Sequence, residues 1–177
     1  TFVTYINGDF SIMSELRTNR IVPRDGLPSG SSGGIIQVKQ ITHSTFVKYN
    51  TNSFTAGTLE GGGTGNYSIT ITPTRADSKI LVSFNSMYDS YSGQRNYVTI
   101  YRSIAGATAS NIVGGRGLVE IWNNDHRIQA TCTGQYLDSP STTSAITYTV
   151  YAQVSTGDFY LGLYNNQKWM HAMEVSG

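Results

Sequence analysis

The sequence is poor in the residues that usually carry chemistry or staple a small fold. One cysteine, Cys132, stands alone among 177 residues, so no disulfide can form within the chain. It lies in Ile128-Gln129-Ala130-Thr131-Cys132-Thr133, which alternates apolar and polar as a strand does. A free thiol in such a run reads as a small buried hydrophobe. A nucleophile would need a depressed thiol pKa, and no neighbouring cation or helix start supplies one. Charge is scarce as well: 13% of residues, 12 basic against 11 acidic, for a net charge of +1. That balance lacks the dense positive field that phosphate binding needs, so nucleic acid is not an expected partner. No apolar run approaches the roughly 20 residues of a helical membrane span, and no signal-peptide pattern opens the sequence. Membrane insertion is therefore not expected.

Metal-ligating and catalytic patterns are missing too. The three histidines, His43, His126 and His171, fall in different predicted elements, and no H-x-H, H-E-x-x-H or C-x-x-C spacing accompanies them. Asp125-His126 with Glu120 reads as a polar loop. His171 and Glu174 are three apart in a predicted strand and so point to opposite faces. Most of the 11 acids fall in predicted turns, where Asp bonds the local backbone, and no pair suggests a glycosidase. Gly61-Gly62-Gly63-Thr64-Gly65 and Gly114-Gly115-Arg116-Gly117 lack the phosphate-loop pattern and open no helix, so they read as turns. No catalytic residue, metal or cofactor is expected, and the chain reads as non-enzymatic.

What is present is strand-forming residues and turns. Tyrosine numbers 12 and glycine 19, with abundant Thr, Val and Ile. Period-two alternation recurs in Ile36–Ile41, Tyr67–Thr72, Lys79–Phe84, Tyr97–Ile104, Arg127–Leu137, Ile146–Val154, Asp158–Leu163 and Met170–Val175. Turn-rich segments such as Asp138-Ser139-Pro140-Ser141-Thr142-Thr143-Ser144 separate them. Eight or nine strands at this spacing predict an all-β protein, an antiparallel β-sandwich that is jelly-roll-like. Residues 34–177 form that domain. Residues 1–33 read as an extended N-terminal attachment segment ending in a Ser/Gly linker. Ser14 to Val22 reads as a short strand within it, and Asn7-Gly8 as a turn. Met13 suits a start position, which makes residues 1–12 an upstream extension.

The loops have a distinctive palette. Tyr88-Asp89-Ser90-Tyr91-Ser92-Gly93-Gln94-Arg95-Asn96-Tyr97 mixes aromatic contact area with adaptable hydrogen bonding, as binding loops do. Both tryptophans lie beside amide-rich runs, Trp122-Asn123-Asn124 and Asn165-Asn166-Gln167-Lys168-Trp169. A sugar uses such a site by stacking on an indole while amides hold its hydroxyls. The same tryptophans also suit a subunit contact or a core edge. The candidate ligand-binding residues are Tyr88, Tyr91, Arg95, Trp122, Asn124 and Trp169.

Several segments resemble, in order, a recurring module of tailed-phage virion proteins. They are Gly33-Gly34-Ile35-Ile36-Gln37-Val38-Lys39-Gln40, Ile71-Thr72-Pro73, Ser78-Lys79-Ile80-Leu81-Val82, Tyr136-Leu137-Asp138-Ser139-Pro140-Ser141-Thr142-Thr143-Ser144 and Met173-Glu174-Val175. The resemblance covers roughly residues 33–177. The module is common at the C-terminal end of fibre proteins in phages and cyanophages. Leu16-Arg17-Thr18-Asn19-Arg20-Ile21 resembles short N-terminal stretches that begin several such proteins. The resemblance implies a homotrimeric fibre tip on the virion, on tail or capsid surface, with no catalytic residues. It also implies attachment to other virion proteins through Leu16, Arg17, Asn19 and Ile21. With no shaft repeats and no tail-docking domain in view, the lead segment is expected to do the anchoring. The expected function is a short tail fibre or receptor-binding tip that recognises a host cell-surface glycan. The alternative is a capsid-mounted head fibre or decoration protein.

Overall fold

A computed structural model describes residues 34–60, 66–163 and 166–177. The expectations for residues 1–33, including attachment through Leu16, Arg17, Asn19 and Ile21 and the boundary at residue 33, lie outside the described residues.

Alternation dictates the elements. In Lys79-Ile80-Leu81-Val82-Ser83-Phe84 the residues Ile80, Val82 and Phe84 are fully buried, and Ile69 and Ile71 in the preceding strand are buried likewise. The described residues form β1 (Ile35–His43), β2 (Val47–Tyr49), β3 (Thr58–Leu59), β4 (Ser68–Ile71), β5 (Lys79–Ser90) and β6 (Gln94–Ile104). They continue with β7 (Ser110–Asn111), β8 (Val119–Asn123), β9 (Ile128–Asp138), β10 (Ile146–Val154), β11 (Phe159–Leu161) and β12 (Lys168–Val175). Every pairing between them is antiparallel. The protein is all-β, as the sequence predicts, and its strands lie in two sheets.

β5 is the spine of the first sheet. β9 pairs with it from Ile80 to Ser90 on one side. Its other side is shared by β12, which pairs with Lys79–Asn85, and β11, which pairs with Tyr88–Ser90. β1 lies beyond β12, and β2 and then β3 lie beyond β11. In the second sheet β4, β10 and β6 follow in order, with β7 and β8 sharing the far side of β6. Side chains from both sheets meet in one core that includes Val47, Tyr49, Phe84, Ile100, Tyr148, Val150, Phe159 and Met170. Cys132 belongs to this core at 2% exposure, and burial pushes its thiol pKa up to about 12.

Two expectations need correction. The run Tyr88–Tyr97 reads as one loop, but only residues 91–93 turn. β5 continues through Ser90 because β9 pairs with it along its whole length, and β6 begins at Gln94. The second correction concerns acids expected in turns: Asp89 and Asp138 are buried strand residues. Glu174, in a strand as the sequence predicts, is buried as well. Each is held by specific donors. Asp138 accepts from Arg102 Nη1 at 2.8 and 3.0 Å and from Tyr148 Oη at 2.7 Å. Glu174 accepts from Gln37 Nε2 at 2.6 Å and from the amide and hydroxyl of Thr74, both at 2.8 Å. Burial alone would raise its pKa, and these hydrogen bonds outweigh burial and hold it below the usual carboxylate range. A carboxylate can enter a sheet interior only with such partners, and period-two patterning does not reveal them. His171 and Glu174 do face opposite ways, with Glu174 in the interior and His171 half-buried.

Candidate ligand-binding surface

Three connections converge at one end of the sheets: residues 91–93 between β5 and β6, 124–127 between β8 and β9, and 155–158 between β10 and β11. Gln94, almost fully buried, ties two of them together. Its Oε1 accepts from the Tyr91 amide at 2.8 Å, and its Nε2 donates to the carbonyls of Thr156 at 2.7 Å and Asp158 at 2.9 Å. Gly93 takes a φ of +76°, a conformation that side chains rarely adopt, which lets the first turn close in three residues. Ser92 Oγ donates to the Asn124 carbonyl at 3.3 Å and joins the second connection to the first. Asn123 shapes that second turn by bonding the His126 carbonyl and accepting from the His126 amide. It also donates to the Ser90 carbonyl at 3.2 Å.

A cleft of about 390 Å³ opens among these turns, lined by Tyr91, Ser92, Gln94, Thr156, Gly157 and Asp158. Its lining residues carry one aromatic ring, three hydroxyls, an amide and a carboxylate. The walls are braced from outside. Arg127 forks onto Asp89 at 2.8 and 2.5 Å and lies 4.9 Å over the Tyr91 ring. Tyr160 meets Tyr91 edge to face at 6.5 Å, and its hydroxyl donates to Asp158 Oδ2 at 3.1 Å. Lys48 Nζ reaches the same Asp158 oxygen at 2.9 Å.

On the outer face of the second sheet, Trp122 sits directly opposite Arg95 across β8 and β6. The guanidinium lies 4.6 Å over the indole, and its Nε pairs with Glu120 at 3.3 Å. Trp122 is nevertheless 64% exposed, so the ring face away from Arg95 is open. A cation over the ring face is attracted by the ring quadrupole, which favours this orientation of the indole. Arg116 approaches Glu120 at 4.0 Å and stands 5.5 Å over Tyr97, extending the pattern along β6. Three ion pairs stand at this end: Arg127 with Asp89, Lys48 with Asp158, and Arg95 with Glu120.

Of the candidate residues read from sequence, Tyr91, Arg95, Trp122 and Asn124 come together at this end. Tyr88 does not join them. It lies in the core-facing row of β5, its ring 6.1 Å from Phe159. Trp169 lies in the other sheet, opposite Asn85 and Thr42 in register, with its ring 4.5 Å from His171. Gln94, Thr156, Asp158, Arg127 and Tyr160 belong to the surface, and sequence pattern does not single them out. Gln94 stands inside the aromatic run that reads as a loop. Thr156 and Asp158 look like a mere tight connection, because nothing local says which turns will meet.

Among the described residues, no group of three or more His, Cys, Asp or Glu side chains could hold a metal ion. No protein-family model and no curated protein matches this chain.

Proposed function

We propose that this chain is a binding module without catalytic activity, a jelly-roll-like receptor-binding tip of a phage virion that takes a host surface glycan at the turn-lined end. The observation that carries the ligand reading is the open face of Trp122, oriented by Arg95 and set at the end where Tyr91 and its polar cleft lie. A pyranose stacks its C–H face on an indole while amides, hydroxyls and carbonyls take its hydroxyl groups. The paired charges of this end suit a ligand recognised by shape and hydrogen bonds.

The strand order supports the jelly-roll reading. With β1, β4, β5, β6, β8, β9, β10 and β12 counted as eight successive strands, the first sheet runs first, eighth, third, sixth. The second runs second, seventh, fourth, fifth. That alternation matches the double Greek key of a jelly roll. The virion assignment, the homotrimer and the anchoring role of residues 1–33 are supported by the sequence resemblance. Several weak sites on one particle would then act together. A capsid-mounted head fibre or decoration protein is the second reading, favoured by the long edge strands β1 and β9, whose far sides pair with no other strand among the described residues and suit assembly.

The test is binding of the full chain to host cells and to a glycan array, with Trp122→Ala beside the wild type. Truncating an exposed ring leaves the melting temperature unchanged and lowers glycan binding at least tenfold. A Trp122→Ala protein that binds as well as wild type, or a wild type that binds no glycan, overturns the reading.

A further inference from the structure

Among the described residues two long strands, β1 and β9, lie at edges of the first sheet, and the two-residue β3 lies at a third. Among the described residues β1 pairs only with β12, and β9 pairs only with β5. No backbone hydrogen bond from those residues reaches the far side of either strand. Native sheets usually blunt long edges with lysine, proline, a bulge or a covering element. β9 is 11 residues long, and its first ten carry neither a charge nor a proline. β1 has one irregularity, at its first residues, and a single lysine, Lys39.

The registers show what the two edges have in common. Three rows cross the outer face of the sheet from β1 through β12 and β5 to β9. They are Val38-Met173-Leu81-Leu137, Gln40-His171-Ser83-Gln135 and Thr42-Trp169-Asn85-Thr133. Each row ends in the same chemical type on both edges: aliphatic, glutamine, threonine. The terminal residues of the first row stand out of the surface, Val38 at 54% and Leu137 at 49% exposure.

We propose that these edges join copies of this chain, β1 of one copy lying antiparallel beside β9 of a second, with Val38 opposite Leu137, Gln40 opposite Gln135 and Thr42 opposite Thr133. The strand sense permits it. Each of the three pairings between β1 and β9 is antiparallel, so the two edges run in opposite directions. A rotation about an axis along the strands therefore brings them together in antiparallel order. The alternation of bonded and non-bonded pairs also carries across the join, because the number of strands in the row is even. The side-chain pairs formed across the join are of the kinds that stabilise sheets: aliphatic on aliphatic, amide on amide and Thr on Thr, all on one face. The occupant is a second copy because the chain's own opposite edge supplies the matching row ends. The interface is heterologous, so it repeats from copy to copy and closes into a ring where the rotation allows. This inference does not depend on the glycan reading.

The test uses the full chain and two single-cysteine additions, Val38→Cys and Leu137→Cys. Mild oxidation of a mixture of the two variants yields a cross-linked pair, while neither variant alone does. The native Cys132 does not compete, because it is buried and its thiol is held protonated. Light scattering supplies the second measurement. Gln135→Lys lowers the oligomer mass to that of a single chain, and adding Gln40→Glu restores it by placing opposite charges across the join. A wild type that is monomeric at micromolar concentration overturns the proposal. So does a Leu137→Cys protein that cross-links by itself, which would mean a two-fold β9–β9 interface instead.

Discussion

Lys168 offers the sharpest test of the packing. It opens β12 on the core-facing side and is fully buried, and its Nζ has no hydrogen-bond partner among the described residues. Its nearest compensation is the Tyr67 ring, 5.6 Å away. His43 stands opposite it in register, and burial and the Lys168 charge both push its pKa down, which favours the neutral ring. Burial lowers the Lys168 pKa from 10.5 to about 8. At about 1.4 kcal/mol per pH unit, that gap makes the charged amine cost the native state roughly 3 kcal/mol. Below pH 8 both native and unfolded chains carry the proton and the full cost is present. Between about pH 8 and 10.5 the unfolded chain binds more protons than the native one, so this group makes stability rise with pH. Lys168→Met keeps the aliphatic stem and removes the charge, at the loss of about 0.5–1 kcal/mol of cation–π attraction. The variant is therefore expected to be about 2–3 kcal/mol more stable than wild type below pH 8, with the difference shrinking as pH approaches 10.5. Urea unfolding of both proteins across that range measures it. A variant that is less stable than wild type by the same amount at every pH refutes the reasoning, because the amine would then have a partner.

Asp138→Ala removes the shared acceptor of Arg102 and Tyr148. It is expected to cost about 3 kcal/mol in the same assay, since the fully buried Tyr148 hydroxyl and the partly buried Arg102 guanidinium lose their partner. Cys132 is 2% exposed with its thiol pKa pushed up to about 12. It should therefore resist a thiol reagent in native buffer and react at once in denaturant. Rapid labelling of the native protein would show that Cys132 does not face the core from β9.

Much of the architecture can be read from the chain itself. Alternation such as Ile80, Val82, Phe84 against Leu81, Ser83 fixes strand faces locally, because successive side chains must point to opposite sides of a pleated backbone. The all-β character, the interior position of Cys132 and the opposed faces of His171 and Glu174 follow from that rule alone. Strand ends are less legible. Asn85 to Ser90 is too polar to look like strand, and only pairing with β9 holds it extended. The candidate surface is partly visible, since Tyr91, Arg95, Trp122 and Asn124 announce themselves by composition. Tyr88 has the same composition and faces the core, a difference set by its parity along a strand whose extent the sequence hides. Which turns meet, which strands are left as edges, and where buried charges such as Asp89, Asp138 and Lys168 come to rest depend on long-range pairing. Those pairings join residues scores of positions apart, and no local pattern encodes them; the tertiary structure alone decides them.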